Sequence, residues 1–128
     1  MKAIDTNVLV RYLIGDDPGQ VAKARVAIET GSVFVSTTVL LESEWVLRSV
    51  YGLAREDVAT ALRAFSGLPS VSVESPNLLI EALDRAEKGM DFADALHLGA
   101  AAHCEAMLTF DRRFIETAGE AAPKVTEP

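Results

Sequence analysis

Residues 2–14 read KAIDTNVLVRYLI, a short apolar run, an acidic turn and a second, longer apolar run. The first run, residues 2–4, is typical of a short buried strand, and residues 8–14 predict a helix. Asp5 lies between them, at the carboxyl end of the strand. A strand that passes directly into a helix is the repeating unit of α/β folds.

The rest of the chain repeats this alternation. Short β-rich runs predict further strands at 33–35, 71–73, 106–109 and near Val125. Apolar spacing, capping residues and glycine stops predict helices at 20–30, 39–50, 55–66, 76–87 and 92–104. Strands that alternate with helices predict an α/β fold with a mainly parallel sheet, in which ligands collect beyond the carboxyl ends of the strands.

Length and composition indicate one compact domain that spans residues 1–128. The chain is 49% hydrophobic and contains a single cysteine, Cys104. It therefore cannot form an internal disulfide or a cysteine-based zinc site, which fits a reducing compartment. We expect Cys104 to be a small buried residue on a helix. No secretory leader and no bilayer-spanning apolar run is evident, so the prediction is a soluble cytoplasmic protein without a membrane partner.

The overall charge restricts how this protein can meet nucleic acid. Twelve basic residues stand against 19 acidic ones, for a net charge of −7. That sign disfavours a protein that coats nucleic acid by electrostatic attraction alone. It remains compatible with an enzyme that meets phosphate through a divalent cation and a few arginines.

Four acidic residues follow or open predicted elements: Asp5, Glu42, Asp94 and Asp111. Helices that start at the carboxyl edge of a parallel sheet bring such residues toward one cleft, so we expect all four to converge. Carboxylates held together repel one another unless a cation lies between them. Mg²⁺ or Mn²⁺ is the cation that this prediction favours.

Asp5 and Asp111 each have a simpler interpretation. Asp5 could cap the following helix, although Thr6 and Asn7 could cap it equally well. Asp111 could begin a surface turn beside Arg112 and Arg113. These two form the only adjacent basic pair, and arginines suit phosphate recognition through forked hydrogen bonds, although at least one of them is expected on ordinary solvated surface.

Glu42 competes with Glu44, two residues later on the same predicted helix. Glu44 and Arg48 have the spacing of a helical ion pair, so Glu44 is expected to face solvent. Glu42 has no such partner and shares a helix face with Trp45, so it is expected to face packed surface.

Asp94 competes with Asp91. Asp91 is well placed as the N-cap of its helix, and Asp94 then falls at the third helical position. His97, one turn later, is expected to be packed or partly exposed rather than a ligand. The chain contains no HExxH, GxSxG, Walker or GxGxxG motif, which leaves zinc-protease, serine-hydrolase and nucleotide-fold interpretations without support.

Taken in order, these acids and their neighbours resemble the PIN-domain ribonucleases, and most of all the VapC toxins of bacterial type II toxin–antitoxin pairs. The resemblance covers nearly the whole chain and rests on four segments, IDTNVL at 4–9, LESEWVL at 41–47, DFADAL at 91–96 and LTFDRRF at 108–114. Where the family often has another polar or acidic residue after the fourth acid, this chain has Arg112 and Arg113.

The resemblance implies a three-layer α/β/α sandwich and a Mg²⁺- or Mn²⁺-dependent endoribonuclease with Asp5, Glu42, Asp94 and Asp111 as catalytic acids. Asp5 and Asp94 would hold the principal ion. The resemblance also implies a homodimer and a cognate VapB-type antitoxin as partner. The alternative is a non-catalytic module of the same fold, in which the acidic pocket binds a basic protein. A phosphatase with an acidic pocket, or a receiver-type domain, also has an aspartate after its first strand. This alternative is less favoured, because the chain lacks the paired second aspartate and the lysine near the later strands that those sites need.

Overall fold

A computed structural model describes residues 1–128 as seven helices and five short strands. The chain divides into two compact units, Met1–Pro76 and Asn77–Pro128. The strands pair in parallel throughout, which confirms the predicted α/β class with parallel strands. No helix combines the length and the apolar character that crossing a membrane requires.

The first unit is a three-stranded parallel sheet with four helices. The strands lie in the order β1 (Lys2–Ala3), β2 (Val33–Val35), β3 (Val71–Val73). The helices are α1 (Thr6–Ile14), α2 (Pro18–Glu29), α3 (Thr37–Ser49) and α4 (Arg55–Ser66). The register sets Lys2 opposite Val33 and Val33 opposite Val71, so the three strands end near one level.

Fully buried aliphatic and aromatic side chains from every helix of the first unit and from β2 form its core. The largest are Leu9, Ile28, Val33, Val35, Leu40, Leu47, Val58, Leu62 and Phe65. Each contributes about 1.5–3 kcal/mol relative to an exposed position. Tyr12 packs edge-on against Phe65, with ring centroids 5.9 Å apart. This core fixes α1, whose N-cap is Asp5, and α3, which carries Glu42 in its second turn.

The second unit contains three helices and a two-stranded parallel ladder. The elements are α5 (Pro76–Glu87), α6 (Phe92–Ala100), β4 (Ala106–Leu108), α7 (Arg112–Ala118) and β5 (Lys124–Thr126). Gly89, at a φ of +106°, follows α5 in a conformation that favours glycine. Gly99 on α6 lies so close to Leu78 on α5 that an added Cβ would stand 2.5 Å from its Cδ1. That end of the leucine side chain is flexible, so glycine eases the close approach of α5 and α6 without being indispensable for it.

Two elements differ from the predicted ones. Helix α6 ends at Ala100 instead of near Cys104, and the residues from Ala102 to Glu105 are exposed. Alanine-rich sequence favours helix, but helices persist mainly where an apolar face packs, and this segment has none. Cys104 is accordingly exposed, so its predicted burial on a helix was wrong. Helix α7 was not predicted at all.

Candidate functional site

Asp5 connects β1 to α1 and caps the helix. Its backbone is extended (φ −99°, ψ −177°), and its Oδ1 accepts a hydrogen bond from the Val8 amide at 3.2 Å. The cap therefore belongs to Asp5 rather than to Thr6 or Asn7. The side chain is exposed, and the cap engages only one of its two carboxylate oxygens.

Glu42 is hydrogen-bonded to the start of α1 by a contact that no local sequence pattern indicates. Thr6, the first residue of α1 and only 8% exposed, donates a hydrogen bond from Oγ1 to Glu42 Oε1. Because Thr6 follows Asp5 directly, this bond brings the second predicted acid to the same end of α1 as the first. The only signal in the sequence was a threonine beside the first acid, which also fits a capping role.

The predicted orientation of α3 was wrong. Glu44 is 5% exposed and belongs to the buried stripe with Leu40, Ser43 and Leu47, whereas Glu42 is exposed. Residues at i, i+3, i+4 and i+7 share one helix face, so the Leu40–Leu47 stripe faces the core. The sequence has a second apolar stripe through Trp45, and this stripe led to the prediction that the Glu42 face packs and that Glu44 faces solvent.

The predicted ion pair between Glu44 and Arg48 is present, but it is largely buried. Arg48 Nε lies 2.5 Å from Glu44 Oε2, and Nη2 lies 3.1 Å from Oε1. This forked contact satisfies the Glu44 carboxylate inside the fold. Glu44 is therefore a structural acid, and Glu42 is the acid that remains accessible to a ligand.

In the second unit, Asp91 and Asp94 divide their roles as predicted. Asp91 is the N-cap of α6, and its Oδ2 accepts from the Asp94 amide at 3.3 Å. Asp94 occupies the third helical position and is half-buried. A carboxylate there is favoured by the partial positive charge at the helix N-terminus.

Asp94 and Asp111 line the same open cleft of about 530 Å³. Asp111 caps α7, with its Oδ1 accepting from the amides of Arg113 (2.9 Å) and Phe114 (3.2 Å). Arg112 and Arg113 are exposed at the first turn of α7. His97 also lines the cleft, one turn after Asp94 on α6. The predicted acids thus occur as two pairs, one in each unit.

The donor chemistry fits a hard divalent cation. Carboxylate oxygens are the ligands that Mg²⁺ prefers, and this ion is commonly held by one or two carboxylates together with waters and substrate phosphates. Neither unit gathers three or more His, Cys, Asp or Glu side chains into a group able to hold a metal by itself. One or two accessible carboxylates suit an ion that also binds the substrate's phosphate better than they suit a closed structural site.

Parallel strands and helices capped by aspartate define an α/β protein with accessible carboxylates near its helix starts. A family model described as the PIN domain matches residues 2–120, and the chain belongs to this family. PIN domains are generally nucleases and generally use divalent metal ions. Neither the comparison with curated proteins nor that with solved structures gave a match.

Proposed function

We propose that this protein is a Mg²⁺- or Mn²⁺-dependent endoribonuclease and the VapC-type toxin of a type II toxin–antitoxin pair, acting as a cytoplasmic homodimer of one 128-residue domain. Its catalytic carboxylates are Asp5, Glu42, Asp94 and Asp111. The observation that carries the proposal is their placement inside a chain of the PIN-domain family: Thr6, the residue after Asp5, donates a hydrogen bond to Glu42, and Asp94 shares a cleft with Asp111. The cognate VapB-type antitoxin would present basic side chains to these acids.

The chain's own groups have distinct tasks in this proposal. Asp5 and Asp94 would hold the principal cation, Asp5 through the oxygen that its cap leaves available. Glu42, fixed by Thr6, and Asp111, fixed by its cap, would assist in holding it, directly or through water. The chemistry that a bound divalent cation supplies in such sites is acidification of water and neutralisation of phosphate charge.

Recognition of the scissile phosphate falls to the start of α7. Arg112 and Arg113 are exposed there, and the Arg113 amide donates to the Asp111 cap. A guanidinium can donate two parallel hydrogen bonds to a phosphate, which places the substrate as well as attracting it. This local positive charge offsets the unfavourable net charge of −7.

The test is cleavage of labelled RNA by the purified protein without its partner, with Mg²⁺ or Mn²⁺ and with chelator. Asp5→Asn and Asp94→Asn should each lower cleavage by about 100-fold or more. Asparagine caps helices as well as aspartate does, so Asp5→Asn removes charge without removing the cap. Asp16→Asn and Glu116→Gln change exposed acids elsewhere in the two units and should leave cleavage unchanged.

A common site also predicts how the two substitutions combine. Residues that act as a unit have strongly non-additive effects, so Asp5→Asn/Asp94→Asn should be little worse than either single variant. Full cleavage by either single variant, or cleavage that chelator does not affect, would contradict the proposal. Binding of a basic protein without any RNA cleavage would favour the non-catalytic alternative.

A further inference from the structure

Trp45 is an exposed aromatic residue one turn from the proposed catalytic Glu42. It is the only tryptophan, it lies in the middle of α3, and it is 55% exposed. Tryptophan is usually highly buried, because its large ring gains most from leaving water. Glu42 and Ser49, its neighbours at i−3 and i+4, are also exposed, so the ring and the Glu42 carboxylate share an accessible face of α3.

Phe110 has a matching position in the second unit. It directly precedes Asp111 and is 80% exposed, more than any other large hydrophobic residue. The backbone on both sides is held: the Thr109 amide donates to the Thr126 carbonyl at 3.0 Å, and the Asp111 amide donates to Thr109 Oγ1 at 3.0 Å. The ring is therefore presented to solvent from a fixed turn.

The charge of the chain makes such rings useful to a nuclease. The net charge of −7 confines attraction of RNA phosphates to local groups such as Arg112 and Arg113, whereas phosphate contacts supply most of the affinity of basic proteins. Stacking on an aromatic ring is a source of affinity that needs no positive charge and tolerates any base. Single-stranded RNA offers unpaired bases for this contact.

We propose that Trp45 and Phe110 are base-stacking residues that position single-stranded RNA against the neighbouring acids. This inference rests on the proposed ribonuclease function and adds the two side chains that would hold the bases of its substrate. Each ring would stack a nucleotide next to the phosphate that the adjacent carboxylate serves. The two residues act by positioning, since the reacting atoms are those of the phosphodiester.

Fluorescence gives a direct test, because Trp45 is the sole tryptophan. The protein used is the full chain carrying Asp94→Asn, so that RNA is not consumed. The probes are a single-stranded 12-mer of adenosine nucleotides and an abasic 12-mer with the same ribose–phosphate backbone, at equal ionic strength. We expect the adenosine 12-mer to quench the fluorescence and the abasic 12-mer to leave it unchanged.

Substitutions provide the second arm, with binding followed by anisotropy of labelled RNA. Trp45→Ala and Phe110→Ala should each weaken binding by roughly 5- to 150-fold, the range expected for one stacked base. Trp45→Phe should recover most of the loss, since a smaller ring still stacks. Val26→Ala and Ile80→Ala remove other exposed apolar side chains, one in each unit, and should leave binding unchanged.

Three results would overturn the inference: equal binding of the abasic 12-mer, unchanged binding after both alanine substitutions, or fluorescence that responds to protein concentration and not to RNA. The last would assign Trp45 to contact with a second copy of the chain. Wild-type protein that cleaves RNA but binds it independently of both rings refutes only this inference. Ring-dependent binding without metal-dependent cleavage refutes only the proposed function.

Discussion

Arg48→Met is expected to lower the free energy of unfolding by about 3 kcal/mol. Loss of an exposed helical ion pair, which is what the sequence predicts for Glu44 and Arg48, would cost far less. Exposed i,i+4 pairs contribute about 0.3–0.5 kcal/mol. Removal of one partner from a buried pair costs about 3–5 kcal/mol, because the remaining charge is left without its counterion. The Glu44 side chain is 6% exposed and that of Arg48 is 20%, so partial screening by water points to the lower end of that range.

Urea denaturation at pH 7, followed by circular dichroism, measures the change. For a slope of about 1–3 kcal/mol per molar urea, a loss of 3 kcal/mol lowers the midpoint by roughly 1–3 M. The slope itself should not change, since the substitution alters no large buried surface. The comparison is made between midpoints at equal protein concentration.

Two controls separate charge burial from simple loss of side-chain packing. Glu44→Leu/Arg48→Met removes both charges and should recover to within about 1 kcal/mol of the wild type. Arg25→Met breaks the exposed pair with Glu29, whose atoms are 3.9 Å apart, and should cost no more than about 0.5 kcal/mol. Burial of the Glu44–Arg48 pair is not the cause if Arg48→Met lowers the free energy of unfolding no more than Arg25→Met does. The same holds if the double variant is no more stable than Arg48→Met.

Three further outcomes are expected. Asp5→Ala should lower stability by about 0.5–2 kcal/mol in thermal unfolding while Asp5→Asn does not, because only alanine abolishes the cap; equal stability of the two would show that the cap contributes nothing. Thr6→Val should lower kcat at unchanged KM by releasing Glu42, and Thr6→Ser should restore it; a loss that serine does not rescue would indicate a packing role instead. Burial, then the hydrogen bond and charge of Glu29, raise the pKa of Tyr12 above its ordinary 10.0. The folded state therefore keeps this proton to higher pH than the unfolded chain, and stability that is present below pH 10 is lost as pH rises through the raised pKa. Tyr12→Phe should flatten this alkaline decline of the unfolding free energy. An identical decline in the variant would show that Tyr12 does not cause it.

Secondary structure was most predictable where local signals and packing agree. The bounds of β2, β3, α4 and α5 match the predicted ranges, because proline, glycine and apolar periodicity all mark the same residues. Helix α7 was missed because its seven residues are too few for a clear periodicity. Its stability comes from the Asp111 cap and the burial of Phe114 and Ala118, and burial is not visible in the sequence.

The candidate acids were predicted by residue type, but their local contacts were not. Positions after strands and near helix starts singled out Asp5, Glu42, Asp94 and Asp111, and their catalytic role stays a prediction. The structure places Asp5 and Glu42 in the first unit, linked through Thr6, and Asp94 and Asp111 at one cleft of the second. The buried face of α3 could not be predicted, because the sequence has two apolar stripes on this helix. Only packing against the core determines which of the two is buried. Thr6 was missed for a similar reason: its partner lies 36 residues away, beyond the reach of any local pattern.

The two simplest interpretations of aspartate at these positions, helix cap and metal ligand, are compatible rather than alternative. Asp5 and Asp111 both cap a helix through Oδ1 alone, so in each the cap leaves Oδ2 available for a cation. Capping also fixes the carboxylate against a rigid helix, which reduces the conformational entropy lost when a ligand binds. The cap of Asp5 or Asp111 thus does not compete with the proposed metal role, and Asp5→Asn keeps the cap while it removes the charge that the metal role requires.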